Sequence, residues 1–250
     1  MRRFAIFAAL FLLSPAMLRA QTPLTLTAAD GVTVFATTYA ASGTAKATIL
    51  LFHQAGSNGA EYYSEIAPRL TKDGFDCIAL DQRSGGAMFG RTNETVNKLA
   101  RSANYLDALP DLDAALAYAR KTKPGEPVIV WGSSYSASLV FLLAAKHPDD
   151  IAAVLAFSPG EYFDEQTSIA AAAAKVKVPV FVTSASSGGE VEQARAILAG
   201  VPAAFKVQFV PKKGVHGSST LIEARNPGGT GPIWSAVEAF LTKALAASKR

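Results

Sequence analysis

Short apolar segments recur along the chain, and longer segments with a helical spacing of apolar residues separate them. Six short segments show little alternation, which is typical of strands buried on both faces of a parallel sheet. Two earlier segments alternate around the turn Ala29-Asp30-Gly31 and predict a hairpin. The predicted strands are residues 24–28, 32–39, 48–52, 77–80, 128–131, 152–157, 178–182 and 205–210.

Helical patterns fill most of the intervals between these strands. They cover residues 61–73, 105–121, 137–146, 190–198 and 233–247. Strands that alternate with helices predict an α/β fold, with a mainly parallel sheet of about eight strands and helices on both faces. The only long stretch without a clear pattern, residues 82–104, is expected to be irregular and could partly cover a pocket. About 20 residues separate the strands ending at 157 and starting at 178, which leaves no room for a large lid domain.

Residues 1–20 resemble a secretory signal peptide. Arg2 and Arg3 form a basic head, residues 4–13 an apolar core, and small residues lead to a favoured cleavage after Ala20. A retained membrane anchor is the alternative, but roughly ten apolar residues before Pro15 are too few to span a bilayer. The sequence therefore predicts an exported protein, periplasmic or secreted, with one domain over residues 21–250 and no membrane span in the mature chain.

Charge and cysteine content narrow the possible partners. Cleavage would remove three arginines and no acid, which reduces the net charge from +4 to +1. The sequence pI of 9.1 is therefore no evidence for nucleic-acid binding, which would require a basic cluster. Cys77 is the single cysteine, so no intramolecular disulfide can form, and three histidines without nearby ligands argue against a metal. The sequence carries no signal for an oligomeric state.

The strongest chemical signal lies where residues 128–131 lead through Gly132 and three serines into an apolar helix. In such a nucleophile elbow, the positions two before and two after the nucleophile must be small. Gly132 and Ser136 satisfy this condition around Ser134, whereas Ser133 would have Trp and Tyr at the crowded positions. Ser134 is therefore the predicted nucleophile, and helix capping is the structural alternative for these serines.

The chain resembles the α/β-hydrolase superfamily, and most of all its dienelactone hydrolase-like branch of esterases. The resemblance covers the whole mature chain and rests on four segments: the elbow at 132–136, His53-Gln54-Ala55-Gly56, Asp81-Gln82-Arg83-Ser84-Gly85-Gly86 and Gly214-Val215-His216-Gly217. It departs from the family pattern in three places. Dienelactone hydrolases use a cysteine where this chain has Ser134, the final glycine of the elbow is Ser136, and the loop that usually holds the acid lacks Asp.

A serine nucleophile needs a general base, and only three histidines are available. His216 follows the last predicted strand, where the resemblance places the base of an α/β-hydrolase. His147 ends a helix and is expected to lie at the surface. His53 is expected to brace its loop, as is Asp81 at the end of another strand.

The resemblance also implies an oxyanion hole made of two backbone N–H groups after the strand at 48–52 and after the nucleophile. We assign these donors to Ala55, or Gln54 one residue earlier, and to Tyr135.

The third member of the predicted triad is a carboxylate, for which two positions compete. Glu190 lies in the loop that usually supplies the acid, but Ser187-x-x-Glu190 also matches a helix capping box. Glu161 follows the preceding strand, from which the same fold can also supply its acid. A third possibility is that the acid is a different residue or is missing.

These residues predict a serine hydrolase that cleaves carboxylic esters of small or moderately sized substrates through an acyl-enzyme, with Ser134, His216 and Glu190 as the triad. This chemistry requires no cofactor and no metal. Two alternatives stay open: a peptidase or amidase with the same residues, and a binding protein that keeps the fold without activity.

Overall fold

The computed structural model describes residues 21–59, 65–164 and 168–247. The predicted leader, residues 1–20, lies outside them, as do the first four residues of the helix predicted at 61–73. Each of the eight predicted strands is present, with ends within two residues of the prediction. They are β1 (Thr22–Thr27), β2 (Thr33–Tyr39), β3 (Thr48–Phe52), β4 (Asp76–Asp81), β5 (Val128–Ser133), β6 (Ala153–Phe157), β7 (Val180–Thr183) and β8 (Lys206–Phe209).

All eight strands form one sheet in the order β1-β2-β4-β3-β5-β6-β7-β8. Strand β2 pairs antiparallel with both β1 and β4, whereas β3 to β8 run parallel to their neighbours and to β4. The carboxyl ends of the parallel strands therefore share one edge of the sheet, where ligands bind in open α/β sheets.

The described residues form seven α-helices, two of which the sequence pattern did not predict. They are α1 (Ile66–Lys72), α2 (Glu94–Leu99), α3 (Leu109–Thr122), α4 (Tyr135–Lys146), α5 (Ile169–Ala173), α6 (Gly188–Ala199) and α7 (Thr230–Ala247). Helix α2 corrects the prediction that residues 82–104 are irregular throughout. Helix α5 is the regular structure seen between β6 and β7, in keeping with the absence of a large lid.

Alternate residues of the buried strands point to opposite faces of the sheet. Leu50 and Phe52 of β3 belong to a core packed under α3, α4, α5 and α6. Ile49 and Leu51 of the same strand belong to a second core under α1 and α7. Burial on both faces explains why the parallel strands read as continuous apolar runs rather than alternating ones.

A buried ion pair ties the β1–β2 hairpin to the rest of the domain. The Arg83 Nη2 atom lies 2.7 Å from Asp111 Oδ1 of α3, and the Arg83 backbone N–H donates to the other carboxylate oxygen at 2.8 Å. The same guanidinium also pairs with Asp30 in the hairpin turn. Because both carboxylates are engaged, the arginine is compensated in a site where only 8% of its side chain is exposed.

Candidate active site

The turn between β5 and α4 holds Ser134 in a conformation that non-glycine residues seldom adopt. Its backbone has φ 59° and ψ −126°, the strained geometry that a nucleophile elbow requires. A Cβ atom on Gly132 would lie 2.1 Å from the Ser136 carbonyl oxygen, so only glycine fits there. The steric argument that selected Ser134 from the sequence therefore matches the backbone that the structure places here.

His216 is the histidine that reaches this serine. Its Nε2 atom lies 2.8 Å from Ser134 Oγ. The imidazole follows β8 along the chain and immediately precedes a 3₁₀ turn, Gly217–Leu221. Of the other two histidines, His147 lies 2.7 Å from an oxygen of Asp113 at the surface, and His53 is completely buried.

Glu190 completes a line of three side chains. Its Oε1 atom lies 3.1 Å from His216 Nδ1, and its Oε2 accepts a hydrogen bond from the Ala185 N–H at 3.1 Å. Burial raises the pKa of this carboxyl, but hydrogen bonds from His216, Ser158 and the Ala185 amide outweigh burial and lower the pKa to about 2. The carboxylate is therefore charged at neutral pH and accepts the Nδ1 proton, which leaves Nε2 free to accept a proton from Ser134.

Helix capping accounts for Glu161 and not for Glu190. Ser187 is the N-cap residue of α6, but its side chain makes no capping hydrogen bond. The capping-box interpretation of Glu190 is therefore wrong, because its carboxylate points instead to His216. Glu161 caps a helix: its two oxygens accept from the backbone N–H groups of Ile169 and Ala170, at 2.7 and 2.9 Å. The Glu161 carboxylate is thus engaged by the first backbone N–H groups of α5.

Three serines that sequence reasoning had not assigned hold the catalytic loops together. Ser158 Oγ accepts a hydrogen bond from the Gly217 N–H at 2.9 Å and also bonds to Glu190. Ser133 Oγ accepts from the Ser218 N–H at 2.8 Å. Ser218 Oγ in turn accepts from an indole N–H of β5. The histidine loop is therefore fixed to the ends of β5 and β6.

His53 braces the loop that follows β3. Its Nδ1 donates to the Gln54 carbonyl at 2.7 Å, and its Nε2 accepts from the Gln82 backbone N–H at 3.1 Å. Burial lowers the pKa of His53, so the ring stays neutral and uses both nitrogens within the scaffold. The Gln82 side chain extends the network, because its Nε2 donates to Ser136 Oγ at 2.9 Å and to Tyr135 Oη at 3.0 Å.

The predicted oxyanion donors lie on the two segments that this network connects. Ala55 is half-buried in the turn after β3, and Tyr135 is the first residue of α4. The first N–H groups of a helix have no acceptor within the helix, which leaves the Tyr135 N–H available to a ligand. Ser136 Oγ donates to the His53 carbonyl at 2.6 Å and thereby joins the two segments. The donor after β3 is still Ala55 or Gln54.

Tyr162, which follows β6, also belongs to the surroundings of the nucleophile. Its hydroxyl donates to the Ser158 carbonyl at 3.0 Å. Burial and the nearby charge of Glu190 raise its pKa to about 12, so the phenol is protonated at neutral pH. Nothing in the sequence pattern pointed to this residue.

The described parts of the chain show no metal-binding cluster and no membrane-spanning helix. Residues 21–59, 65–164 and 168–247 contain no group of His, Cys, Asp and Glu side chains that could hold a metal ion. None of the helices within these ranges is long and apolar enough to span a bilayer.

Comparisons with known proteins identify relatives of this architecture. The model of the family described as serine aminopeptidase S33 matches residues 43–199. Among solved structures, the chain is similar to Est1E from Butyrivibrio proteoclasticus, with 15% identity, a TM-score of 0.68, and 90% of this chain and 99% of that chain covered. An esterase from Pyrococcus furiosus gives 16% identity and a TM-score of 0.67, with 90% of each chain covered.

A dienelactone hydrolase from Anabaena variabilis is similar over 90% of this chain and 98% of its own, with 14% identity and a TM-score of 0.69. No curated protein matches the sequence. At these identities the structural matches establish the fold, and with the family match they confirm the resemblance to α/β-hydrolases that the motifs predicted.

Proposed function

This chain belongs to the serine aminopeptidase S33 family of α/β-hydrolases, and we propose that it is a carboxylic ester hydrolase that works through an acyl-enzyme. The observation that carries this proposal is the continuous contact from Glu190 through His216 to Ser134, with Ser134 on a strained elbow. The proposed substrates are carboxylic esters of small or moderate size. The structural similarity to esterases supports this choice.

In the acylation step, Ser134 Oγ attacks the ester carbonyl carbon while His216 Nε2 takes the hydroxyl proton. The carbonyl electron pair moves onto the oxygen, and the Tyr135 N–H together with the N–H of Ala55, or of Gln54, stabilises the resulting negative charge. The intermediate then collapses: the bond to the alcohol oxygen breaks, and His216 delivers its proton to the departing alcohol. Water then attacks the acyl-serine through the same steps, and the acid is released.

Glu190 does not take a proton in this scheme. Its carboxylate keeps the Nδ1–H tautomer of His216 and stabilises the imidazolium that forms in each transition state. The low pKa of Glu190 fits this role because the group keeps its charge while the histidine cycles between its two states.

A panel of p-nitrophenyl esters from acetate to octanoate tests the proposed activity directly. We expect turnover of at least the short esters by the wild-type protein. Ser134→Ala, the matched variant, is expected to show only background release. Absence of turnover across the panel, together with no labelling by a fluorophosphonate, would contradict the proposal.

A second candidate is hydrolysis of amides or peptides, which the family description favours. The same three residues can perform it, because the tetrahedral intermediate and the proton transfers are of the same kind. Pairs of p-nitrophenyl esters and p-nitroanilides with the same acyl group decide between the two. A higher kcat/KM for the anilide would replace the esterase proposal by the amidase one.

A non-catalytic binding protein was the third alternative. The aligned Ser-His-Glu side chains, the buried neutral His53 and the strained serine each restrain the chain without adding a binding surface. A protein that only binds a ligand would not require them. The preserved site geometry therefore argues against it.

A further inference from the structure

The side chain of Gln82 connects the two segments that carry the predicted oxyanion donors. Gln82 directly follows β4 and is completely buried. In the sheet, β3 lies between β4 and β5. The Gln82 amide bonds to His53, which follows β3, and to Ser136, which follows β5. A single buried side chain therefore reaches across the ends of three strands.

Three hydrogen bonds close a ring between Gln82, His53 and Ser136. Gln82 Oε1 accepts from the His53 backbone N–H at 2.8 Å, and Gln82 Nε2 donates to Ser136 Oγ at 2.9 Å. Ser136 Oγ in turn donates to the His53 carbonyl at 2.6 Å. The ring thus holds both polar groups of the His53 backbone, at the residue that precedes the two candidate donors Gln54 and Ala55.

The second amide hydrogen of Gln82 restrains the other donor segment. Gln82 Nε2 donates to Tyr135 Oη at 3.0 Å, and this hydroxyl donates to the Ser84 carbonyl at 3.0 Å. Because the Tyr135 and Ser136 hydroxyls each give their single hydrogen to a backbone carbonyl, both must accept from Gln82. The neutral amide supplies these two hydrogens and the acceptor for His53. The side chain is therefore held in one orientation.

An oxyanion hole depends on the separation of its two donors. Each N–H must lie about 2.7 to 3.1 Å from the oxygen that becomes negative, so a shift between the two segments weakens the transition state more than the bound ester. A buried network with every member satisfied is rigid and resists such a shift. None of the three partners of the Gln82 amide belongs to the triad. The amide therefore acts on the oxyanion donors and leaves the general base unchanged.

We propose that Gln82 is a positioning residue of the oxyanion hole, whose buried amide sets the separation between the N–H donor after β3 and the Tyr135 N–H. The inference rests on the proposed function, because it concerns the same acyl transfer at Ser134. Loss of the amide is expected to slow the reaction through the carbonyl oxygen of the substrate, while proton transfer by His216 stays as in the wild-type protein.

Replacement of one substrate atom measures the oxyanion hole directly. p-Nitrophenyl acetate and its thionoester, in which sulfur replaces the carbonyl oxygen, release the same p-nitrophenolate. Sulfur is larger than oxygen and accepts hydrogen bonds weakly, so donors placed for oxygen favour the ester. The ester-to-thionoester ratio of kcat/KM, divided by the same ratio for hydroxide in the same buffer, defines the oxygen preference. We expect an oxygen preference of about tenfold or more for the wild-type protein.

Two variants open the ring at different members. Gln82→Met replaces the amide with an apolar side chain of similar length that adapts to its surroundings. Ser136→Ala removes the hydroxyl and keeps the small residue that the elbow requires. For each variant we expect kcat for the ester to fall about tenfold to a hundredfold, with KM within about twofold of wild type and an oxygen preference near one.

Two further measurements separate positioning from a merely structural role. The midpoint of the pH profile of kcat/KM reports the general base His216, and it is expected to match the wild-type value in both variants. The double variant Gln82→Met/Ser136→Ala is expected to be about as slow as the slower single variant, because both substitutions break the same ring.

Thr48→Val is the matched control for the loss of a buried hydrogen bond. Thr48 is buried at the opposite end of β3, and its hydroxyl donates to Glu126 Oε1 at 2.6 Å. The substitution is expected to lower the melting temperature. Its kcat is expected to stay within about twofold of wild type, and its oxygen preference is expected to stay unchanged, because the donor segments keep their ring.

Failure of this inference and failure of the proposed function give different results. Gln82 is a structural residue only, and the esterase proposal stands, if both variants slow the ester and the thionoester equally or keep wild-type kinetics. The same conclusion follows if Thr48→Val loses its oxygen preference or the wild-type protein has none. Should Gln82→Met not fold, the oxygen preference of Ser136→Ala decides alone. If wild-type protein hydrolyses neither substrate and a fluorophosphonate does not label Ser134, the proposed function fails together with the positioning role.

Discussion

At the scale of single residues, the choice between Glu190 and Glu161 is the clearest result, because both follow strands and only one reaches the histidine. Glu190→Gln keeps an oxygen for the Ala185 N–H but removes the charge opposite His216. We expect kcat to fall about a hundredfold or more with little change in KM, because the imidazolium loses its partner. Stopped-time ester assays and thermal melting measure the two effects.

Glu161→Gln is the matched control for this substitution. Its side chain can still accept from the two N–H groups at the start of α5, so kcat is expected to stay within about twofold of wild type. A large loss of kcat in Glu161→Gln with a silent Glu190→Gln would reverse the assignment of the acid.

The lowered pKa of Glu190 also predicts a dependence of stability on pH. The pKa falls from an ordinary value of 4.5 to about 2 on folding, so the folded state holds fewer protons and the stabilisation is complete above about pH 5. It is lost as the pH falls towards 2. Because 24% of the side chain is exposed, solvent screening limits the contribution to about 1 kcal/mol.

Urea unfolding of wild type and Glu190→Gln at several pH values measures this contribution. The difference between their free energies of unfolding is expected to shrink between pH 5 and pH 2. A difference that stays constant over this range would show that the carboxylate is not stabilised in the folded state.

Sequence reasoning predicted Ser134 and His216 because their signals are local: small neighbours around one and a glycine-flanked loop for the other. It could not decide the acid, because the direction of a loop side chain depends on contacts with distant segments. The roles of Ser158 and Tyr162 could not be predicted for the same reason, since both residues act on groups that are far away in the sequence.

At the scale of elements, the β5–α4 elbow depends on close backbone contact. Gly132→Ala would place a Cβ atom 2.1 Å from the Ser136 carbonyl oxygen, and relief requires that the strand or helix moves. We expect a loss of about 2 to 4 kcal/mol in the free energy of unfolding and an inactive protein. Urea denaturation and ester assays measure both.

Gly231→Ala provides a comparison near the start of α7, where no atom lies within 4 Å of the added Cβ. Its free energy of unfolding is expected to stay within about 0.5 kcal/mol of wild type. A Gly132→Ala protein with normal activity would contradict the tight elbow.

The long helices and strands were predictable, whereas α2 and α5 were not, because each short helix combines a local N-cap, Asn93 or Ser168, with contacts from outside the helix. Asp81 of β4 accepts a hydrogen bond from the Glu94 N–H at the start of α2, at 2.8 Å. Glu161 does the same for α5. A helix of five or six residues is unstable by propensity alone, so a window of sequence carries little evidence for it.

At the scale of the whole molecule, the predicted cleavage site can be compared with the position of the first described strand. Strand β1 starts at Thr22, so cleavage after Ala20 would leave every described element on the mature chain. We propose that the protein is exported and acts as residues 21–250. Its single cysteine, Cys77, is buried, so folding in an oxidising compartment would require no intramolecular disulfide.

Intact mass and N-terminal sequencing of the protein recovered from the periplasm or medium of an expressing bacterium test this proposal. The expected N-terminus is Gln21. Replacement of Ala20 by a bulky residue is expected to slow processing and accumulate the longer chain, because signal cleavage requires small side chains. A full-length cytoplasmic product with normal activity would contradict export.

The central claim is that Ser134, activated by His216, is the nucleophile. Wild-type protein is incubated with a fluorophosphonate, and peptide mass spectrometry locates the adduct. The account predicts one adduct per chain, on Ser134, with no labelling of Ser134→Ala and normal labelling of Glu161→Gln. Ser133→Ala is expected to label more slowly because its hydroxyl holds the histidine loop. An adduct on Ser133 or Ser136, or labelling that survives Ser134→Ala, would contradict the account.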